Sequence, residues 1–213
     1  MSITKHAVLS TIAGSAVLFS SIASAELSGN IGATSDYLWR GTTQTDHGAA
    51  TFGGLDYGHS SGLYAGTWVA NVSSDTEIDV YAGFAGEAAG LSYDIGYIHY
   101  HYPNNAEDFG EGYISLGYSL VSVGYYMDFD NENSYVSGAI DYELKEGLSI
   151  GLNAGATMND DSDSDYVHFG ASMTKSIDGG WDFTFAVSDT DQEEGSPNEN
   201  PVATITLAKE FDI

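Results

Sequence analysis

Hydrophobic and polar residues alternate with a period of two along nearly the whole chain. In 27–39, Leu27, Gly29, Ile31, Ala33, Ser35, Tyr37 and Trp39 share one face, and Ser28, Asn30, Gly32, Thr34, Asp36, Leu38 and Arg40 share the other. In 77–85, Ile78, Val80, Ala82 and Phe84 oppose Glu77, Asp79, Tyr81 and Gly83. In 121–129, Val121, Val123, Tyr125, Met127 and Phe129 oppose Ser122, Gly124, Tyr126 and Asp128. In 135–144, Val136, Gly138, Ile140, Tyr142 and Leu144 oppose Tyr135, Ser137, Ala139, Asp141 and Glu143. The segments at 181–187 and 202–211 repeat the pattern, with Trp181, Phe183, Phe185, Ile205, Leu207 and Phe211 on the apolar side. Successive side chains of a β-strand point to opposite sides of the sheet, so this period predicts strands.

The predicted strands are 26–40, 49–59, 62–71, 76–87, 90–102, 109–119, 120–130, 133–144, 147–158, 165–175, 179–190 and 200–211. They number about twelve, each near the 9–11 residues with which a tilted strand crosses a bilayer. Their connections alternate in length. Short turns at 59–62, 87–90, 119–120, 144–147 and 176–180 interleave with longer polar loops at 41–48, 103–108, 159–165 and 189–201. That alternation is expected of a transmembrane, antiparallel, up-and-down β-barrel. Both termini then fall on the turn side, which places them in the periplasm.

Residues 1–25 change the compartment. Lys5 and His6 precede the apolar run "AVLSTIAGSAVLF", and Ala23 and Ala25 form a small-residue cleavage signal. This is the pattern of a secretory signal peptide, leaving 26–213 as one barrel domain. The chain has no cysteine, so a closed sheet rather than disulfides must supply stability, and thiol chemistry is excluded. The net charge of −26 argues against nucleic acid as a partner. The final strand, "TITLAKEF", ends near the aromatic Phe211, with Asp212 and Ile213 beyond it. It is the expected contact with barrel-assembly machinery.

A soluble β-sandwich with one wet face is the competing architecture. Two features favour the barrel. Aromatics mark strand ends on the apolar face (Trp39, Tyr57, Phe84, Tyr93, Tyr118, Phe129, Tyr142, Trp181, Phe211), as interfacial girdles do. The opposite face is acidic with almost no lysine.

Five ordered motifs carry a family likeness. They are "SDYLWRGTTQTD" (35–46), "GGLDYGHSSGLYAGTWVANV" (53–72), "EIDVYAGFAGE" (77–87), "LSYDIGYIHYHYP" (91–103) and "SVGYY" (122–126). Together the chain resembles the TorF porin family of proteobacteria. The resemblance implies an outer-membrane barrel of porin type in a Gram-negative bacterium and leaves the solute open.

With the apolar face toward lipid, the lumen would be lined by Asp36, Arg40, Asp56, Glu77, Asp79, Asp94, Glu111, Asp128, Asp141, Glu143, His168 and Asp182. A charge ring of one sign selects cations. The expected function is therefore passive diffusion of small cationic or neutral solutes, with outer-membrane lipid and lipopolysaccharide as surroundings. Inward Tyr81, Tyr100, Tyr126 and Tyr135 could instead seal the barrel, leaving a structural or surface-interaction protein with acidic extracellular loops. Arg40 is the one arginine in the chain. On the Asp36 face of the first strand it would point inward and pair with a carboxylate on another strand. That pair is expected to border water, where an ion pair is worth only about 0–1 kcal/mol.

The remaining motifs are weak. "DDSDSD" (160–165) lacks the glycine and the bidentate Glu of an EF-hand, since Tyr166 and Ser172 stand there. His99 and His101 share a strand face with no third metal ligand evident, so they read as interfacial histidines. No GxSxG, HExxH or Ser–His spacing suggests an enzyme, and nothing suggests a cofactor.

Overall fold

A computed structural model describes residues 26–104, 108–160, 164–192 and 196–213. The signal segment 1–25 and residues 161–163 of the acidic loop 160–165 lie outside the described residues. The strands are β1 (Glu26–Thr34), β2 (Leu38–Trp39), β3 (Thr42–Thr43), β4 (Ala50–Gly58), β5 (Leu63–Asn71), β6 (Thr76–Ala88) and β7 (Leu91–His101). They continue as β8 (Phe109–Tyr118), β9 (Val121–Asp128), β10 (Ser134–Lys145), β11 (Leu148–Met158), β12 (Tyr166–Ile177), β13 (Trp181–Thr190) and β14 (Val202–Asp212).

Twelve of these strands close one antiparallel barrel, in which each pairs with its neighbour in sequence and β1 seals the ring against both β4 and β14. Closure leaves no unpaired sheet edge, which lipid would penalise by several kcal/mol per unsatisfied group. The pleat obeys the alternation. Val80, Phe84, Val123, Tyr125, Val136, Ile140, Phe183, Phe185, Ile205 and Leu207 are exposed on the outside, and Glu77, Asp79, Tyr126, Asp128, Tyr135, Thr184, Thr204 and Thr206 are buried within. No helix among the described residues is long and apolar enough to cross a membrane.

One element departs from the alternation. The pattern predicts a first strand through residue 40, but β1 ends at Thr34, and β2 and β3 form a separate two-stranded hairpin. The turn of that hairpin is Arg40–Gly41, with φ of 51° and 84°. Two successive positive φ values make the tight turn that suits the twist of a two-residue hairpin. Arg40 therefore sits at a tip and not on the wall of β1.

Candidate functional site

The β2–β3 hairpin folds into the loop end of the barrel and reaches both walls. At its base, Tyr37 packs with Ala50 and Ala70 in a small apolar cluster flanked by Phe52 and Trp68. The Tyr37 hydroxyl donates to Glu77 on β6 at 2.6 Å. At its tip, Arg40 Nη2 donates to both oxygens of Glu111 on β8, at 2.7 Å each. On the far side Gly41 lies against β12 and β13. A Cβ there would stand 2.6 Å from His168 Cβ and 2.9 Å from Thr190 Cγ2, so only glycine fits both the space and the positive φ. The hairpin thus spans the lumen.

The loop behind the tip is tied down by Asp36. Its Oδ1 accepts from Thr43 Oγ1 (2.6 Å) and Thr45 Oγ1 (3.0 Å), while Oδ2 meets His47 Nδ1 (2.8 Å). The loop is also latched to the β13–β14 connection. Thr43 N donates to Asn198 Oδ1 at 2.8 Å, and His47 Nε2 lies 2.9 Å from the Pro197 carbonyl oxygen. The hydrogen bond to Asp36, then the one to Pro197, raises the His47 pKa above its ordinary value of 6.5.

Aromatic rings surround the tip. The Arg40 guanidinium carbon stands 4.1 Å from the Trp39 ring centroid and 4.2 Å from that of Tyr135, with Tyr126 at 5.5 Å. Trp39 meets Tyr100 and Phe109 edge-on. This corrects the sequence expectation that Trp39 belongs to the lipid-facing girdle. The turn carries it inside, where its face serves the guanidinium. Tyr113, Tyr126, Tyr135 and His168 continue as an arc of rings with centroids 5.4–5.8 Å apart. The arc crosses β11 at Gly155, because a Cβ there would stand 2.7 Å from His168 Nε2 and would also strike the Tyr135 hydroxyl.

The expected lumen residues separate into two groups. Asp56, Glu77, Asp79, Asp94, Glu111 and Asp128 are buried, and all lie on β4 to β9. Tyrosines answer several of them: Tyr81 donates to Asp56 (2.5 Å), Tyr64 to Asp94 (2.6 Å), and Tyr100 to Glu111 (3.2 Å), and Tyr102 also contacts Glu77. Asp79 Oδ1 and Asp94 Oδ2 are buried without a hydrogen-bond partner. The opposite wall presents hydroxyls, namely Ser149, Thr157, Thr174, Thr184, Ser188, Thr204 and Thr206. The single-sign ring expected from the sequence is therefore an acidic arc facing a hydroxyl arc.

The other expected positions differ in detail. Asp128 turns its carboxylate to the β9–β10 loop, accepting from Asp130 N, Asn131 N and Asn131 Nδ2 at 2.8–3.1 Å. Asp141 and Asp182 are half-buried in the turn half of the barrel, and Asp182 accepts from Ser176 Oγ at 2.6 Å. Glu143 is exposed at the turn rim and accepts from Gly147 N at 3.4 Å. His168 is buried and lies 2.7 Å from the Tyr135 hydroxyl. Outside the barrel, His101 Nδ1 meets Asp108 Oδ2 at 2.8 Å, and His99 Nε2 lies 3.8 Å from the same oxygen.

The sequence reading misses Tyr37, Tyr64, Tyr113 and Asn198. Parity along β5 and β8 could have placed Tyr64 and Tyr113 inside. The dipeptide Arg40–Gly41 between two extended pairs could have signalled the turn.

A family model for bacterial proteins of unknown function, Gcw_chp, matches residues 20–209. The chain belongs to this family. No curated protein matches the sequence. Among solved structures, this Gcw_chp barrel is similar to KdgM porin, with a TM-score of 0.65 at 12% identity over 87% of this chain and 99% of that chain. It is also similar to KdgM porin in complex with disordered oligogalacturonate (TM-score 0.61, 11% identity, 88% and 99% covered). NanC porin gives a TM-score of 0.59 at 9% identity, with 88% and 100% covered. At such identities the likeness is one of fold.

Proposed function

We propose that this protein is an outer-membrane diffusion channel of porin type that favours small cationic or neutral solutes. The observation carrying this reading is the pairing of an apolar barrel exterior with a buried acidic arc whose one cation, Arg40, is already matched to Glu111. Carboxylates in a narrow, low-dielectric wall attract cations and repel anions. Oligogalacturonate, the ligand of one KdgM structure, is a polycarboxylate, and such a wall disfavours it. The likeness of the motifs to TorF porins supports the same class, as does the amino-terminal segment that reads as a signal peptide. On this reading the termini face the periplasm, lipopolysaccharide surrounds the loop end, and the strand ending at Phe211 engages the assembly machinery.

The hairpin across the lumen favours a second reading, a sealed barrel with an acidic loop surface. Single-channel recording of refolded mature protein in planar bilayers separates the two. The channel reading expects discrete conductance and, across a KCl gradient, a reversal potential of cation-selective sign. Silence would support the sealed barrel, and anion selectivity would contradict the proposed solute class.

A further inference from the structure

The guanidinium of Arg40 occupies a box whose other members are almost all fixed. Glu111 stands on β8, Tyr100 on β7, Tyr126 on β9 and Tyr135 on β10, each held in the hydrogen-bonded wall of the barrel. Only Trp39 travels with the hairpin. The box has what a planar organic cation needs: a buried carboxylate, ring faces near the cation, and a tyrosine hydroxyl holding one carboxylate oxygen.

The present occupant fits it incompletely. One nitrogen, Nη2, serves both Glu111 oxygens, and Arg40 Nε is buried with no hydrogen-bond partner. The strongest guanidinium–carboxylate geometry uses two nitrogens in parallel. Arg40 reaches Glu111 from a turn position with φ of 51°, an uncommon backbone conformation for a residue other than glycine. An untethered guanidinium is free to rotate into the two-nitrogen fork.

We infer that Glu111, Tyr100, Tyr126 and Tyr135 form a binding site for the guanidinium group of a diffusing solute, with Arg40 as a tethered occupant that the solute displaces. Displacement removes the tip of the hairpin from the wall, so the cation that binds also opens its own path. The loop end suits delivery of such a solute. Its exposed side chains include Asp108, Asp130, Glu132 and Asp160, whereas Lys145, Lys175 and Lys209 lie at the turn end. Competition against a tethered group sets the concentration scale: short linkers hold their groups at an effective concentration of about millimolar, so the free ligand acts in about that range.

The inference rests on the channel reading only for the consequence of displacement, and binding is measured apart from conduction. Refolded wild-type protein in detergent is titrated with methylguanidinium, and with methylammonium at equal ionic strength, while tryptophan emission is followed. Trp39, 4.1 Å from the Arg40 guanidinium, is the reporter, and Trp39→Phe identifies its share of the signal. The expected result is a saturable change, half-maximal at about millimolar methylguanidinium. It should be absent with methylammonium and lost in Glu111→Gln, which keeps the shape of the side chain and removes its charge. Equal responses to the two cations, a response that never saturates, or one that survives Glu111→Gln overturns the site. Parallel bilayer recordings keep the two proposals distinct. Saturable binding without conductance refutes the channel and keeps the site, while conductance indifferent to methylguanidinium, with no emission change, does the reverse.

Discussion

His47 Nδ1 and Asp36 Oδ2 lie 2.8 Å apart, joining the exposed side of the inserted loop to its buried anchor. The bond ties the state of the hairpin to pH. Partnership with Asp36 raises the His47 pKa, so the folded loop holds its proton more tightly than the released loop does. The stabilisation is fully present below the ordinary imidazole value of 6.5 and is lost as pH rises through the raised value. The hairpin is therefore expected to loosen as pH rises through that raised value. Recordings between pH 6 and 9 should show open time increasing with pH, and His47→Gln should flatten the dependence.

Arg40 and Glu111 are only 4% and 1% exposed, so the pair is dry. This corrects the expectation that the ion pair borders water and contributes little. Removing one partner leaves a buried charge unmatched, a loss of about 3–5 kcal/mol. Arg40→Ala is accordingly expected to lower the unfolding temperature clearly, as read by heat-modified migration in gels. Arg40→Met combined with Glu111→Leu should recover most of the loss, because no charge is then stranded. A single substitution that leaves the unfolding temperature unchanged would show that water reaches the pair.

Asp79 and Asp94 each bury a carboxylate oxygen that has no hydrogen-bond partner. Those oxygens are the part of the acidic arc least matched by protein groups. Asp79→Asn with Asp94→Asn should shift the reversal potential toward zero in a KCl gradient while the barrel continues to fold. Selectivity unchanged by the pair would place the selecting charge elsewhere, for example at the acidic loop rim.

Tyr135 and His168 meet only because Gly155 between them has no side chain. Gly155→Ala should push the Tyr135 ring from its place beside Arg40. Overpacking of this kind costs about 1–3 kcal/mol. Heat resistance should fall by that order, and the hairpin should be released more readily in bilayer recordings. Gly138→Ala, on the same barrel but with no side chain near its Cβ, serves as the comparison.

Period-two alternation determined most of the barrel by itself. It set the number of spanning strands, their ends to within about two residues except at the end of the first, and the inward parity of Asp56, Glu77, Asp79, Asp94 and Glu111. Those properties are local: each follows from the pleat of a single strand and the contrast between lipid and lumen. Residues 35–40 keep the same alternation, so pattern alone extends the first strand through Arg40 and sends Trp39 to the membrane interface. Only the closed barrel decides otherwise. The turn at Arg40–Gly41 is stabilised by Glu111, 71 residues away, and by rings on β9 and β10. Among the described residues, the confinement of buried strand carboxylates to β4–β9 is likewise invisible along the sequence, because Asp141, Glu143 and Asp182 share the inward parity of the buried acids. Their place near the turn end leaves them partly or fully exposed to solvent, while the carboxylates nearer the hairpin are enclosed. Parity reports which way a side chain points, whereas depth and partner depend on strands distant in the chain.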